Sequence, residues 1–509
     1  MYTSVLSAAI CGLEAQMVQV EVDVSNGLPG FSMVGNLNNQ VKEAQDRVKT
    51  ALHNIKINLP PKKITINISP GDMQKTGTGF DLPIAAGILK TLEIIPDDSL
   101  NQILVVGEIG LDGKISGVKG VLPMVLKAKE IGCTACIVPK NNLLEAQMIE
   151  QIPVIGVSHL EEFISCIKEE AWKAEVPKTI YTKNISKNTK DFKDVRGQIP
   201  GKRAALIAAA GFHNLLLLGP PGSGKTMLAE RIADLLPELS QEEQLELSSI
   251  YSVAGMLPKE HPCMLERPYR APHHTISPSA LVGGGKIPQP GEITLAHKGI
   301  LFLDELPEMR RATLEQLRQP LEEGKILISR LHGRYVYPAE FLLIAAMNPC
   351  PCGYYPDRNR CSCAPFEVNR YLNHISQPLL DRIDLAVETT APSYEEFRNM
   401  DTDSLWTSEE MAKQVQRVHI IQKERFKDEV FSFNSKIPAE KIAQYCETST
   451  EAEELLKQAF LQMGLTGRAC NKILKVARTI ADLESSELIL ENHLGEAIGF
   501  RGIDKSYWK

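Results

Sequence analysis

The octapeptide Gly219-Pro-Pro-Gly-Ser-Gly-Lys-Thr226 constrains the fold of this chain more than any other feature. Before it runs His213-Asn-Leu-Leu-Leu-Leu, an apolar segment of strand length. After it comes Met227-Leu-Ala-Glu-Arg-Ile-Ala-Asp-Leu-Leu, whose apolar residues recur with helical spacing. A glycine-rich loop between a buried strand and a helix N-terminus is a phosphate cradle. Gly222 and Gly224 free the backbone to aim N–H groups at phosphate oxygens, and the helix dipole favours the anion. Lys225 is expected to reach the β- and γ-phosphates of ATP, and the Thr226 hydroxyl to hold Mg2+. The candidate nucleotide-binding set is therefore Gly219, Pro220, Pro221, Gly222, Ser223, Gly224, Lys225, Thr226 and Met227.

Binding phosphate is not hydrolysis. Gly299-Ile-Leu-Phe-Leu-Asp-Glu305 supplies a buried-strand pattern ending in two carboxylates. In such a Walker B strand Asp304 holds Mg2+ through water and Glu305 is the general base for the attacking water. Phe341-Leu-Leu-Ile-Ala-Ala-Met347 is a further buried-strand candidate, ending at Asn348. Its amide could orient the attacking water; the alternative is an Asn that caps a turn before Pro349. Strands and helices alternate from Asp194 to about Thr390, which implies a mostly parallel sheet and an α/β P-loop ATPase core.

A chain of 509 residues exceeds one compact core. Residues 1–168 read as a first α/β domain: Val18-Gln-Val-Glu-Val-Asp-Val24 and Lys63-Ile-Thr-Ile-Asn-Ile68 alternate with period two, while 80–92 and 118–131 carry helical spacing. Residues 169–193 turn polar and lysine-rich and read as a linker. Residues 194–392 form the ATPase core, and 393–509 an α-helical C-terminal domain, clearest at 451–463 and 468–483. No apolar run reaches the roughly 20 residues that span a bilayer, and the N-terminus lacks the basic start of a signal peptide. A cytoplasmic location and no membrane partner are expected. The net charge of −7 lends no compositional support to nucleic-acid binding.

Four of the eleven cysteines, Cys350, Cys352, Cys361 and Cys363, fall within fourteen residues. Paired thiolates from two turns suit a structural, tetrahedral Zn2+, although C-x-C is less specific than C-x2-C. Reduced, unliganded thiols are the alternative.

Asp194–Gln198, the two ATP motifs and Asn348 look like an AAA+ ATPase. Arg267-Pro-Tyr-Arg-Ala-Pro-His-His-Thr275, Gly291-Glu-Ile-Thr-Leu-Ala-His-Lys-Gly299 and Pro378-Leu-Leu-Asp-Arg-Ile-Asp384 resemble the magnesium-chelatase-like AAA+ branch. From about residue 4 to 503 the chain resembles the YifB/ComM family of that branch. The resemblance implies an AAA+ core with a C-terminal helical lid, in a homo-hexameric ring with active sites between subunits. Whether such a ring needs nucleotide or DNA to assemble is left open. Arg382 matches an arginine finger donated to a neighbour's γ-phosphate, where a planar guanidinium can neutralise the transferring group; the alternative is an arginine paired with Asp381 or Asp384. Arg468 matches the sensor-2 arginine, with Arg478 as a competitor, and Val195 and Gln198 lie where such ATPases contact adenine. The N-terminal domain resembles the Lon protease domain, but the positions of its Ser–Lys dyad hold Gly79 and Leu122. Neither can perform that chemistry, so proteolytic inactivity is expected, with a dyad shifted to Thr78 and Lys119 as the alternative.

Residues 322–338 read as a β-hairpin whose tip carries Arg330, His332 and Arg334. In a ring pore these residues, and Lys286 after the three glycines 283–285, could follow phosphates without reading sequence; ordinary solvated turns are the alternative. ComM-type members act as DNA helicases and branch-migration motors in natural transformation, so the resemblance implies DNA as partner. The alternatives are a protein-remodelling or regulatory ATPase and a chelatase motor, against which the Lon-like domain and the cysteines argue. ATP, Mg2+ and Zn2+ are the expected cofactors, and no haem or tetrapyrrole.

Overall fold

Alternation accounts for the first sheet. In β2 (Glu14–Ser25) the side chains of Val18, Val20, Val22 and Val24 are buried while Gln19 is exposed, as a pleated strand requires. This strand pairs antiparallel with β1 (Tyr2–Cys11), in register from Tyr2 opposite Asp23 to Cys11 opposite Glu14. In the computed structural model, which describes every residue except 174–189, 259, 261, 286–287, 331–332, 392–393, 395–405, 502–506 and 508–509, they are the centre of a seven-stranded sheet. With β3 (Gly30–Val34), β4 (Lys63–Ser69), β5 (Ile103–Val105), β6 (Ala135–Pro139) and β7 (Val154–Val157), the order is β3-β4-β2-β1-β5-β6-β7. One face is covered by α1 (Ala44–Asn54), α2 (Asp81–Thr91) and α4 (Leu160–Lys168), the other by α3 (Val121–Glu130). The linker expected at 169–193 falls largely on undescribed residues. Its end is packed, with Phe192 buried and its N–H donating to Ser408 Oγ at 2.9 Å.

The second sheet reads as apolar runs because it is covered on both faces. Its strands are β8 (Leu215–Leu218), β9 (Tyr269–Arg270), β10 (Ile300–Leu303), β13 (Leu342–Met347) and β14 (Leu385–Glu388). All are parallel, in the order β9-β10-β13-β8-β14. Between β10 and β13 the chain makes the hairpin β11 (Lys325–Arg330) and β12 (Gly333–Pro338), in register from Lys325 opposite Pro338 to Arg330 opposite Gly333. Helices α5 (Ile199–Gly211), α6 (Lys225–Ile232), α7 (Gln241–Ala254) and α8 (Pro365–Leu372) belong to the same region.

Past residue 405 the described elements are helical, with α9 (Ser408–Arg425), α10 (Thr450–Met463), α11 (Gly467–Leu483) and α12 (Glu491–Gly499) the longest. Their starts have the expected chemistry: Thr407, Ser449 and Thr466 accept hydrogen bonds from backbone N–H groups of their first turns. They do not make a separate core. Met411, Val415 and Val418 of α9 and Ile473, Val476 and Ile480 of α11 share one apolar cluster with Leu215, Phe302, Ile344 and Leu385 of the parallel sheet. The opposite face of that sheet packs on the β11–β12 hairpin and on Cys350, Cys361 and Cys363. The two sheets meet where α3 lies against α7, with Gly120 N–H donating to Ser252 O at 3.1 Å.

Candidate active site

The chain leaves β8 through Gly219 into a loop that only glycine can form at several points. Gly222 and Gly224 have φ of +76° and +84° with open space around them, so backbone conformation selects glycine there. Gly219 is selected by space, because a Cβ would lie 2.2 Å from Thr389 O. Ser223 Oγ and Thr389 Oγ1 are 2.8 Å apart, which seats the loop on the end of β14. Thr389 is a contributor that the sequence reading missed; a lone Thr after a strand carries no pattern.

Lys225 opens α6 with its ammonium turned back into the loop. Its Nζ donates to Gly219 O (2.8 Å), Pro220 O (2.9 Å) and Asn348 Oδ1 (3.1 Å). Burial pulls its pKa below the ordinary lysine value, against the attraction of Asp304. Thr226 Oγ1 donates to Asp304 Oδ2 at 3.2 Å, and Glu305 N–H to Asp304 Oδ1 at 2.8 Å. Glu305, just past the strand, adopts a left-handed conformation (φ 51°). Its carboxylate lies 2.8 Å from His274 Nδ1. His274 lies in Arg267-Pro-Tyr-Arg-Ala-Pro-His-His-Thr275, where sequence pattern alone assigns it no role. Lys225, Thr226, Asp304, Glu305 and Asn348 thus gather at the C-terminal ends of three adjacent strands, where open α/β sheets bind ligands.

Other candidates lie outside this group. Met227 is exposed on α6. Val195 is buried, and Gln198, left-handed at the start of α5, donates through Nε2 to Thr390 O. Arg382 pairs with Glu322, and neither Asp381 nor Asp384 is its partner; it also donates to Arg318 O (3.1 Å) and Pro378 O (2.6 Å). Arg468 is exposed on the first turn of α11. Arg478, its competitor, is buried, 3.0 Å from Asp482 and donating to Glu487 O at 2.6 Å. These contacts hold Arg478 within the C-terminal helices.

The four cysteine sulfurs lie within 4.8 Å of one another. Separations of 3.3 Å (Cys350–Cys352), 3.6 Å (Cys352–Cys361) and 3.8 Å (Cys350–Cys361) run up to the roughly 3.8 Å edge of a tetrahedral Zn–S4 site. Burial works to raise the Cys352 pKa, but the Tyr354 N–H and the neighbouring thiols outweigh it and bring the thiol to about 6, which favours the thiolate that metals bind. The donor set fits zinc. The loop also touches the nucleotide site, since a Cβ on Gly353 would lie 2.4 Å from Pro221 Cδ.

A cavity of about 760 Å3 lies between the hairpin and the first sheet, lined among others by Arg330, Arg334, Tyr335, Thr78, Glu108 and Lys119. Arg330 and Arg334 are exposed at the hairpin end, and Arg330 Nε donates to Gly285 O at 3.4 Å. His332 and Lys286 lie outside the described residues. Thr78 donates its hydroxyl to the Glu108 carboxylate. The Lys119 stem lies across Gly255, where a Cβ would be 2.5 Å from Lys119 Cε.

Family models match the chain in three segments. "Subunit ChlI of Mg-chelatase" matches residues 20–142, "Magnesium chelatase, subunit ChlI" residues 191–397, and the ChlI C-terminal model residues 406–501. A Haemophilus influenzae protein named "Competence protein ComM" is 43% identical over 503 residues, covering 98% of this chain and 97% of the relative. Escherichia coli YifB, named as uncharacterized, is 43% identical over 500 residues, covering 98% and 96%. A magnesium-chelatase 67 kDa subunit from Chlorobaculum tepidum is 25% identical over 161 residues, 31% of this chain and 23% of the relative.

Proposed function

Because the chain belongs to the magnesium-chelatase-like YifB/ComM family of AAA+ ATPases, we propose that it is an ATP-driven ring motor that moves along DNA. Its task would be branch migration of recombination intermediates, as in natural transformation. The observation that carries the ATPase part is the convergence of Lys225 with Asn348 and of Thr226 with Asp304. ATP phosphate oxygens would replace the Gly219 and Pro220 carbonyls as acceptors for Lys225. Thr226 and Asp304 would hold Mg2+, which neutralises phosphate charge during transfer. Glu305 takes the proton of the attacking water and Asn348 holds that water in line. Arg382 acts on the nucleotide of a neighbouring subunit in a homo-hexamer, and Arg468 senses nucleotide state. Val195 and Gln198 border the adenine. Cys350, Cys352, Cys361 and Cys363 hold a structural zinc that braces the loop between Asn348 and Pro221.

The DNA part is supported by Arg330 and Arg334 at an exposed hairpin end and by the name of a full-length relative. Residues 1–168 serve as a proteolytically inactive, Lon-like wall of the track, 194–392 as the motor and 393–509 as its helical companion, with 169–193 joining them. A second reading, a motor that remodels protein, is favoured by the cavity that the hairpin shares with the first sheet. Steady-state ATPase assays with single-stranded, duplex and branched DNA separate the two. DNA is expected to raise turnover several-fold, and Arg330→Ala with Arg334→Ala to remove that rise. Turnover indifferent to every DNA would end the DNA reading.

A further inference from the structure

Arg382 sits in the short link between a helical turn at Gln377–Leu380 and β14, and that link is gripped from two sides. On the sheet side, Asn214 Nδ2 donates to Arg382 O and Asn214 Oδ1 accepts from Leu343 N–H, both at 3.0 Å, so one amide ties the link to the start of the strand that ends at Asn348. On the other side stands the C-terminal region. Ile383 O accepts from Lys472 Nζ at 3.3 Å and from Arg501 Nη1 at 2.6 Å, and Ala386 N–H donates to Phe500 O at 3.0 Å.

The centre of the grip is Asp384. A buried carboxylate is costly unless it is paired and hydrogen-bonded, and this one is both. Lys472 Nζ of α11 lies 2.7 Å from Oδ1, Asn214 N–H donates to Oδ2 at 3.0 Å, and His213 Nδ1 lies 3.9 Å away. Burial works to raise its pKa, but Lys472 and His213 hold the carboxyl well below the usual range. Lys436 and Lys475 also face Asp384, and Asp381 faces Lys472. Arg478 and Asp482, further along α11, are spent inside the helical region, whereas Lys472 reaches across to the link that bears Arg382.

We propose that Asp384 and Lys472 are positioning residues for Arg382: their buried ion pair bolts the Arg382 link to helix α11, so that the C-terminal helices set where Arg382 is presented to a neighbouring subunit. This rests on the reading of Arg382 as an arginine acting in trans. Arg468 precedes Lys472 by one helical turn, so the same bolt makes the two arginines parts of one body.

The test uses the full-length chain. The double variant Asp384→Asn with Lys472→Met removes both members of the pair together, so that neither is left facing the other's vacancy. It is expected to bind a fluorescent ATP analogue with Kd within twofold of wild type and to keep KM for ATP, while kcat falls at least tenfold. Should it fail to fold, Asp384→Glu keeps the charges but lengthens the bolt, and the expected loss in kcat is about threefold to tenfold at unchanged Kd. Subunits of the double variant retain an intact Lys225, and Lys225→Ala subunits retain an intact Arg382 link. An equimolar mixture is therefore expected to turn over faster than the sum of the two alone. Wild-type kcat in the variants, or a mixture no better than that sum, overturns the proposal. Arg382→Ala keeps the outcomes distinct: if it turns over at the wild-type rate, the reading of Arg382 itself falls; if it is inactive while the bolt variants are not, this inference falls alone.

Discussion

At the ends of β8, β10 and β13, the polar residues point at one another: Lys225 at Asn348 and Thr226 at Asp304. In the loops of the first sheet, residues of similar chemistry point elsewhere. Thr78 gives its hydroxyl to Glu108, Lys119 lies along Gly255, and Leu122 N–H donates to Glu145, whose carboxylate also accepts from Ser252 of α7. In one sheet the polar groups converge on one another; in the other they are spent on bonds within the region and across to α7. Substitutions at the ends of β8, β10 and β13 should therefore change chemistry at little cost in stability, and substitutions in the loops of the first sheet, the first region of the chain, should do the reverse.

The largest effect that can break this contrast is at Lys225. Lys225→Ala removes the cation that would meet the transferring phosphate, and loss of one such group costs about 100- to 1000-fold in kcat. ATPase assays should show that loss with a thermal midpoint within about 2 °C of wild type. Retained turnover would mean that the gathered residues are not the catalytic ones.

Acid should separate the regions next. The His419 ring donates to Ala209 O at 3.0 Å, at the seam between α9 and α5, and burial lowers its pKa to about 4. An unfolded chain binds that proton below about 6.5, so the folded state binds fewer protons between pH 6.5 and 4. The stability contributed by neutral His419 is thus full above pH 6.5 and lost as pH falls toward 4. The span is worth about 2–3 kcal/mol with the partial exposure of the ring discounted. His53 and His159 of the first region lie nearer the surface. Hydrogen exchange at pH 5 against pH 7 should show the P-loop sheet and C-terminal helices loosening first, and His419→Gln should flatten the difference.

The sequence made the strands of both sheets legible for opposite reasons. Val18 to Val24 alternates because one face of β2 is less covered, whereas Leu215–Leu218 and Leu342–Met347 are unbroken apolar runs because both faces are. β9 is two residues long and leaves no period to read. Partners at the site were less legible. Asp381 and Asp384 flank Arg382 in sequence, yet Asp384 turns inward to Lys472 of a distant helix and Glu322 is the partner of Arg382. Nor could spacing reveal that His274 meets Glu305 or that Thr389 seats Ser223, since those meetings depend on how strands stack side by side.

Ser252→Ala sharpens the contrast from the docking side. Its hydroxyl donates to Glu145 within the contact of α3 with α7, and a buried hydrogen bond to a charged group is worth about 2 kcal/mol. Faster proteolytic separation of the first region is expected, with kcat for ATP within twofold of wild type. A parallel fall in kcat would show that the docking contact also shapes the ATPase site.

The smallest effect is the most diagnostic. Thr78→Val exchanges a hydroxyl for a methyl of nearly equal volume, and at a half-buried site losing its bond to Glu108 should cost less than about 1 kcal/mol. If the first region is a docked, inactive body, the variant should match wild type in ATP turnover, and casein digestion should be absent from both. The Thr78 hydroxyl is given to Glu108 and the Lys119 stem lies across Gly255, so the described bonds do not form the hydroxyl–amine dyad of Ser–Lys catalysis. Casein cleavage by wild type that Thr78→Val abolishes would therefore reverse the contrast and make the first region a second site of chemistry.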